Sequence, residues 1–274
     1  MRLFIPISFL LLMCISTMFA HGDLDLRIKA ITSEIESFPD SAALYFHRGK
    51  LRFQHEEYQA SIDDIDMSIT KGFQDELQNI YLAKSFFKLD ELEDASTCLS
   101  SFLENDSGNV VGLNLKGRIL FAQKDYEASA LCFEQVIKLS VRSLPENYLE
   151  AANSWIESSN PDRYQKAVGI LEIGIQNLGS IVTLQNQLIK IHLNANNSQK
   201  AINLQLSIIE KLRRKESAYF KLAEIYLQLG ELEEAKNAAL DAKHHLEKLP
   251  SRIRKNSAMK SLEDKIQKLI NKVQ

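Results

Sequence analysis

The sequence predicts an all-α protein built as a linear stack of helix hairpins. Three observations carry this. Small residues recur after short polar turns at Ser61, Ala95, Ser129, Ala167, Ala201 and Ala235, spaced by 34, 34, 38, 34 and 34 residues. A second ladder, Gly49, Ala83, Gly117, Ala152, Ile189 and Ala223, precedes the first by twelve residues in most units. No stretch alternates apolar and polar residues as a strand would, and no glycine-rich loop joins a strand to a helix.

Each element follows from these ladders. Between them lie polar turns such as Gln54-His55-Glu56-Glu57 and Leu229-Gly230-Glu231, with Tyr58, Leu92, Tyr126, Tyr164, Ser198 and Leu232 read as turn residues. Beyond the turns come Ile65, Leu99, Phe133, Leu171, Gln205 and Ala239. Small residues on both ladders let two helices approach closely, and large residues one turn away fill the space between them. One hairpin cannot bury its own apolar face, so the stack is the folding unit.

A 34-residue unit with this layout resembles the tetratricopeptide repeat. Tyr219, Leu222-Ala223, Tyr226, Gly230, Leu232 and Ala235 match it best. The resemblance extends over six units: 42–75, 76–109, 110–144, 145–181, 182–215 and 216–248. It implies a right-handed superhelical solenoid. The fourth unit, which starts at Pro145, has a turn lengthened around Ser159-Asn160-Pro161-Asp162. The fifth has Ile189 at a small position and Gln205 at a core position, so these two units are expected to be the least regular and most mobile.

Both ends of the array read as caps. Leu24 to Phe38 forms one amphipathic helix closed by Pro39, within a capping segment 21–41. At the other end, 249–274 is a basic amphipathic helix with the stripe Ala258, Leu262, Ile266, Leu269 and Val273.

Arg2 followed by an apolar run from Leu3 to Phe19 reads as a secretory signal peptide, 1–20, cut after Ala20. An uncleaved anchor and a lipoprotein acylated at Cys14 are the alternatives. Export to a periplasm or to the outside of the cell is therefore expected. Removal of Arg2 leaves 32 basic against 36 acidic side chains, a net charge of −4. The segment 243–274 carries nine Lys/Arg and three Asp/Glu, so an acidic body ends in a basic tail. Cys98 and Cys132 are 34 residues apart and so occupy equivalent places in neighbouring units. Equivalent side chains point the same way, so two free thiols are expected.

No catalytic constellation emerges. His-Glu-x-x-His and Cys-x-x-Cys are missing from the sequence, and the six histidines are scattered. His21, as a new terminus, could offer an amine and an imidazole to copper, but no further ligand is evident. His244-His245 point in different directions on a helix, and Trp155 and the other aromatics fall at repeat positions that read as core. No enzyme activity, cofactor or metal is expected.

Resemblance to the family implies that the first helix of each unit lines a groove that holds a peptide or a partner helix. Carried over by position, the groove residues are Phe46, His47, Lys50 and Phe53; Ile80, Tyr81, Lys84 and Phe87; and Asn114, Leu115, Arg118 and Phe121. Lys50, Lys84 and Arg118 form one rung, continued by Asn153, Lys190 and Glu224. The family's clamp for chaperone tails has asparagine at this rung and is not reproduced. Three cations beside aromatics suit an acidic or carboxylate-ended segment; as simple solvating side chains they would have no such role. The expected function is a non-catalytic scaffold or adaptor for protein–protein interaction, with no nucleic-acid partner. Two other readings stay open: a membrane-surface or polyanion binder acting through the basic C-terminal helix, and an envelope hydrolase or metal-binding protein.

Overall fold

The computed structural model describes residues 23–273. The leader from Arg2 to Ala20, Cys14 and the His21 terminus lie outside them. The chain divides into two compact units, Met1–Ser158 and Ser159–Gln274. Among the described residues there are helices and turns and no strands.

The first unit contains α1 (23–37), α2 (Ala42–Gln54), α3 (Tyr58–Thr70), α4 (Leu77–Lys88), α5 (Leu92–Asn105), α6 (Val110–Ala122), α7 (Tyr126–Leu139) and α8 (Pro145–Glu157). The second contains α9 (Arg163–Leu178), α10 (Val182–Asn194), α11 (Ser198–Lys211), α12 (Glu216–Leu229), α13 (Leu232–Glu247), α14 (Ser251–Arg254) and α15 (Ser257–Lys272). The division between the units falls in the lengthened turn, between the two helices of the segment 145–181.

The small-residue ladders mark where paired helices touch. A Cβ added at Gly49 would lie 2.8 Å from Ile65, and one added at Gly117 would lie 2.9 Å from the Phe133 ring. Across the same contacts the Ser61 and Ser129 hydroxyls donate to the Gly49 and Gly117 carbonyls, both at 2.8 Å. In α4–α5 and α12–α13 the facing residues are alanines, Ala83 with Ala95 and Ala223 with Ala235, all fully buried. Ile65, Leu99, Phe133 and Leu171 fill the space beside these contacts. Tyr58, Leu92, Tyr126, Ser198 and Leu232 begin helices and do not belong to the turns. Each can start a helix because its N–H is among those with no intrahelical partner.

One backbone device closes the first helix of five hairpins. Glu56, Asp90, Lys124, Asn196 and Gly230 have positive φ. In each case the next N–H reaches back to the last turn of the helix: Glu57 to Arg52, Glu91 to Phe86, Asp125 to Leu120, Asn197 to His192 and Glu231 to Tyr226. This is the αL ending of a helix, which glycine favours for lack of a Cβ. Here only Gly230 is glycine. The lengthened turn after α8 ends its helix differently, with Ser158 extended.

Polar clips tie elements together. Asp64, almost buried, accepts two bonds from Arg48 at 2.8 and 2.7 Å and a third from Arg52 at 2.9 Å, and Arg48 also donates to Thr32 of α1. Trp155 of α8 is buried and donates its indole N–H to Glu134 of α7. In the second unit, Gln205 donates to the Ala218 carbonyl at 2.7 Å, while its buried Oε1 has no partner. Cys98 and Cys132 are free thiols whose pKa values burial pushes up.

The C-terminal segment departs from a single helix. It breaks at Lys255-Asn256, and the Asn256 side chain accepts the Met259 N–H to start α15. Ala258 is exposed, while Met259 packs with the apolar stripe Leu262, Ile266, Leu269 and Ile270 in one core with α12 and α13.

Candidate functional site

In the first unit, α4 and α6 leave a groove of about 560 Å³, closed at one side by the first turn of α8. Six of the twelve expected groove residues, Phe53, Lys84, Phe87, Asn114, Leu115 and Arg118, line it. The rung arises because Lys84 and Arg118, 34 residues apart, leave the same face of adjacent first helices.

Lys84 is the distinctive group. It is half-buried, its ammonium lies 5.4 Å from the centre of the Tyr81 ring, and it has no carboxylate partner among the described residues. Burial lowers its pKa from the ordinary lysine value. A cation held this way gains from a carboxylate that shares its desolvated site. Arg118 is more exposed and faces Glu150 at 3.8 Å. The Asn114 amide donates to Asn147 at 2.8 Å, and the Asn147 amide donates in turn to Ser143 at 2.9 Å. These bonds fasten the groove wall to α8. Lys88 and Glu146 add one charge of each sign to the lining, and the remainder is apolar, including exposed Val111 and Leu144.

The other six expected groove residues lie elsewhere. Phe46 is 1% exposed and belongs to the core with Ile62, Ile65 and Leu82, so its place in the groove is corrected. Its position on α2 faces α3, and burying an aromatic ring there outweighs exposure. Ile80, a neighbour on the same expected face, is buried for the same reason. Lys50 lies over the Phe46 ring at 4.5 Å, and His47 is exposed beside it. Tyr81 stands edge-on to both Phe46 and Phe53, and Phe121 packs edge-on against Tyr126 at 5.1 Å.

Sequence reasoning missed Lys88, Val110, Val111, Val136, Leu144, Glu146 and Asn147. They lie at helix ends and in the loops between hairpins, where the repeat pattern prescribes nothing. The one available signal was apolar residues, Val111 and Leu144, in positions the ladders leave to solvent.

In the second unit the apolar stripe of α15 is consumed by its packing on the α12–α13 core. The basic residues of α15, Lys260, Lys265, Lys268 and Lys272, stay exposed. Among the described residues no helix is long and apolar enough to cross a membrane, and no three His, Cys, Asp or Glu side chains group as a metal site.

Tetratricopeptide-repeat profiles match residues 82–140 and 216–242. The chain is a tetratricopeptide-repeat protein. Solved structures with the same fold include a tetratricopeptide repeat protein from Parabacteroides merdae, at 13% identity and TM-score 0.56, covering 94% of this chain and 95% of the other. The C-terminal part of a TPR repeat-containing protein from Cytophaga hutchinsonii aligns at 14% identity and TM-score 0.59, over 93% of each chain. MamA from Desulfovibrio magneticus aligns at 12% identity and TM-score 0.54, over 62% of this chain and 93% of its own. At these identities the likeness is one of fold. No curated protein matches the sequence. Tetratricopeptide-repeat proteins are generally non-catalytic scaffolds for protein–protein interaction.

Proposed function

We propose that this tetratricopeptide-repeat protein is an exported scaffold that holds an extended, carboxylate-bearing peptide segment in the α4–α6 groove. The observation that carries the reading is Lys84: a half-buried ammonium without a carboxylate partner among the described residues, in a groove that Phe87, Val111 and Leu144 also line. A carboxylate would pair with Lys84 and Arg118 while a neighbouring apolar side chain fills the groove. Lys50 extends the cationic rung but lies off the groove lining.

The test uses peptides selected on the protein from a random displayed library. Selected sequences are expected to combine an acidic residue or free carboxyl terminus with an apolar residue. Lys84→Glu with Arg118→Glu should reduce their affinity at least tenfold, with the helical circular dichroism unchanged. Binding should weaken with added salt, whereas Phe87→Ala should weaken it at every ionic strength. Equal binding by the double Glu variant removes the groove as the site. Export is tested separately: N-terminal sequencing of protein outside the cytoplasm should begin at His21, and recovery of Met1 in a membrane pellet favours an anchor.

A further inference from the structure

The two compact units differ sharply in charge. Residues 23–158 carry 13 Lys/Arg and 24 Asp/Glu, a net −11, while residues 159–274 carry 19 and 12, a net +7. The charges are also grouped. In the first unit the turns between paired helices α2–α3, α4–α5 and α6–α7 present Glu56 and Glu57, Asp90 and Glu91, and Asp125, with Glu127 in the first turn of α7, all exposed; Lys124 in the α6–α7 turn is exposed beside them. Stacking of successive hairpins with 34-residue spacing puts these turns along one edge of that unit.

In the second unit the positive charge gathers at the end where α11 and α13 finish and α12 begins. Tyr219 of α12 and His245 of α13 stack with ring centres 5.1 Å apart, which fixes these two ends side by side. His245 lies in the positive field of Lys248, His244 and Lys215. Arg214 reaches Met259 at the start of α15 at 3.3 Å, and Arg254 donates to the Glu247 carbonyl, which brings the α14 segment to the same end. The carboxylates in these segments are Glu210, Glu216, Asp241 and Glu247; Glu216 is buried and taken up by Arg214. Arg213, Lys215, Lys248, Arg252 and Lys255 have no carboxylate partner among the described residues.

We infer that this basic end of the second unit docks on the acidic turn row of the first unit of another copy of the same chain. Charge complementarity selects that occupant, because the chain itself carries the matching acidic edge. An anionic membrane is disfavoured, because the −11 unit is repelled by it and the apolar stripe of α15 is already buried. The two surfaces differ, so each contact joins the basic end of one copy to the acidic row of another. Association then closes as a dimer in which both contacts form at once, or continues to a ring or an open chain. Exposed charges drive it, so it depends on ionic strength.

Sedimentation velocity on the purified protein tests this over a hundredfold range of concentration. At about 20 mM salt the average mass should rise with concentration to that of a dimer or more, and at about 500 mM it should return to the monomer. Reversal of the basic end, Arg213→Glu with Lys215→Glu and Arg252→Glu, should keep the protein monomeric at low salt. Reversal of the acidic row, Asp90→Lys with Glu91→Lys and Glu57→Lys, should do the same. Mixing the two variants should restore association, since each retains the surface that the other lacks. A monomer at every salt concentration overturns the inference, as does association that both reversals leave unchanged. Capture of the monomeric wild type by phosphatidylglycerol vesicles, lost on reversal of the basic end, would also overturn it in favour of an anionic surface.

Discussion

The hairpin α6–α7 in the first unit and the hairpin α10–α11 in the second are built on the same twelve-residue ladder spacing, yet their interiors differ. In α6–α7, Gly117 lets the Phe133 ring lie where a Cβ would be, and the Ser129 hydroxyl donates to the buried Gly117 carbonyl. The Ser129 oxygen also lies 2.9 Å from the Ser154 hydroxyl of α8, so the contact extends to the next helix. In α10–α11 the ladder residue is Ile189, opposite Ala201, and the core position beside it holds Gln205. Two buried polar atoms there lack partners: Gln205 Oε1 and His192 Nδ1. The comparison teaches that the ladder does more than space the repeats. A missing Cβ makes room for a hydroxyl to satisfy a buried carbonyl, whereas a bulky ladder residue takes that room and leaves polar neighbours to be accommodated singly.

The sharpest way to break the contrast is Gly117→Val. Its Cβ would meet the Phe133 ring below contact distance, and both side chains sit in a filled interior. Overpacking of this kind should cost about 3 kcal/mol. Hydrogen exchange should show α6, α7 and α8 loosening first, because repeat contacts run between neighbours. Uniform loss across both units would contradict this.

A smaller effect is expected from His192→Leu. Burial, then the charge of Lys200, holds the His192 imidazole below its ordinary value, against the pull of Glu172. The unfolded chain takes up this proton near pH ~6.5 while the folded chain resists it. The stability of the second unit should therefore be level above about pH 7 and decline as pH falls through 6.5 toward the lower folded value. In His192→Leu this part of the decline should vanish, and neutral-pH stability should rise by about 1 kcal/mol as the partnerless nitrogen is removed. Urea midpoints between pH 5 and 8 measure both; an unaltered slope would show that other groups govern the acid response.

The smallest change is Lys124→Gly, at an αL helix ending where the side chain is strained. Removing the Cβ should stabilise by about 0.5–1 kcal/mol after the entropy of glycine is deducted. The same change cannot be made at Gly230, where the second unit already has glycine. A melting temperature about 2–4 °C higher is expected, and a lower one would mean that the Lys124 side chain contributes contacts beyond the backbone.

Much of the fold was legible from residue spacing. The ladders at 49/61, 83/95, 117/129 and 223/235 announced the close helix contacts, since only small residues permit them. The candidate site was half legible. Lys84, Phe87, Asn114 and Arg118 recur at the repeat period, and periodicity identifies a shared face. Phe46 misled because a repeat position names a direction around a helix but not the depth of what lies there: Phe46 meets α3 and the Phe73 ring, and it is buried.

By itself, then, the sequence determined an all-helical repeat with its close contacts, its irregular fifth hairpin and its basic tail. Each of these is a matter of residue size or charge at a fixed period, which short-range geometry converts directly into structure. Tertiary structure alone decided that α8 walls the groove with Asn147 and Leu144, that the stripe of α15 is spent on the α12–α13 core, and that Lys84 is left without a carboxylate partner among the described residues. Those outcomes depend on which loops and helix ends meet in space, and the ends of repeats follow no period.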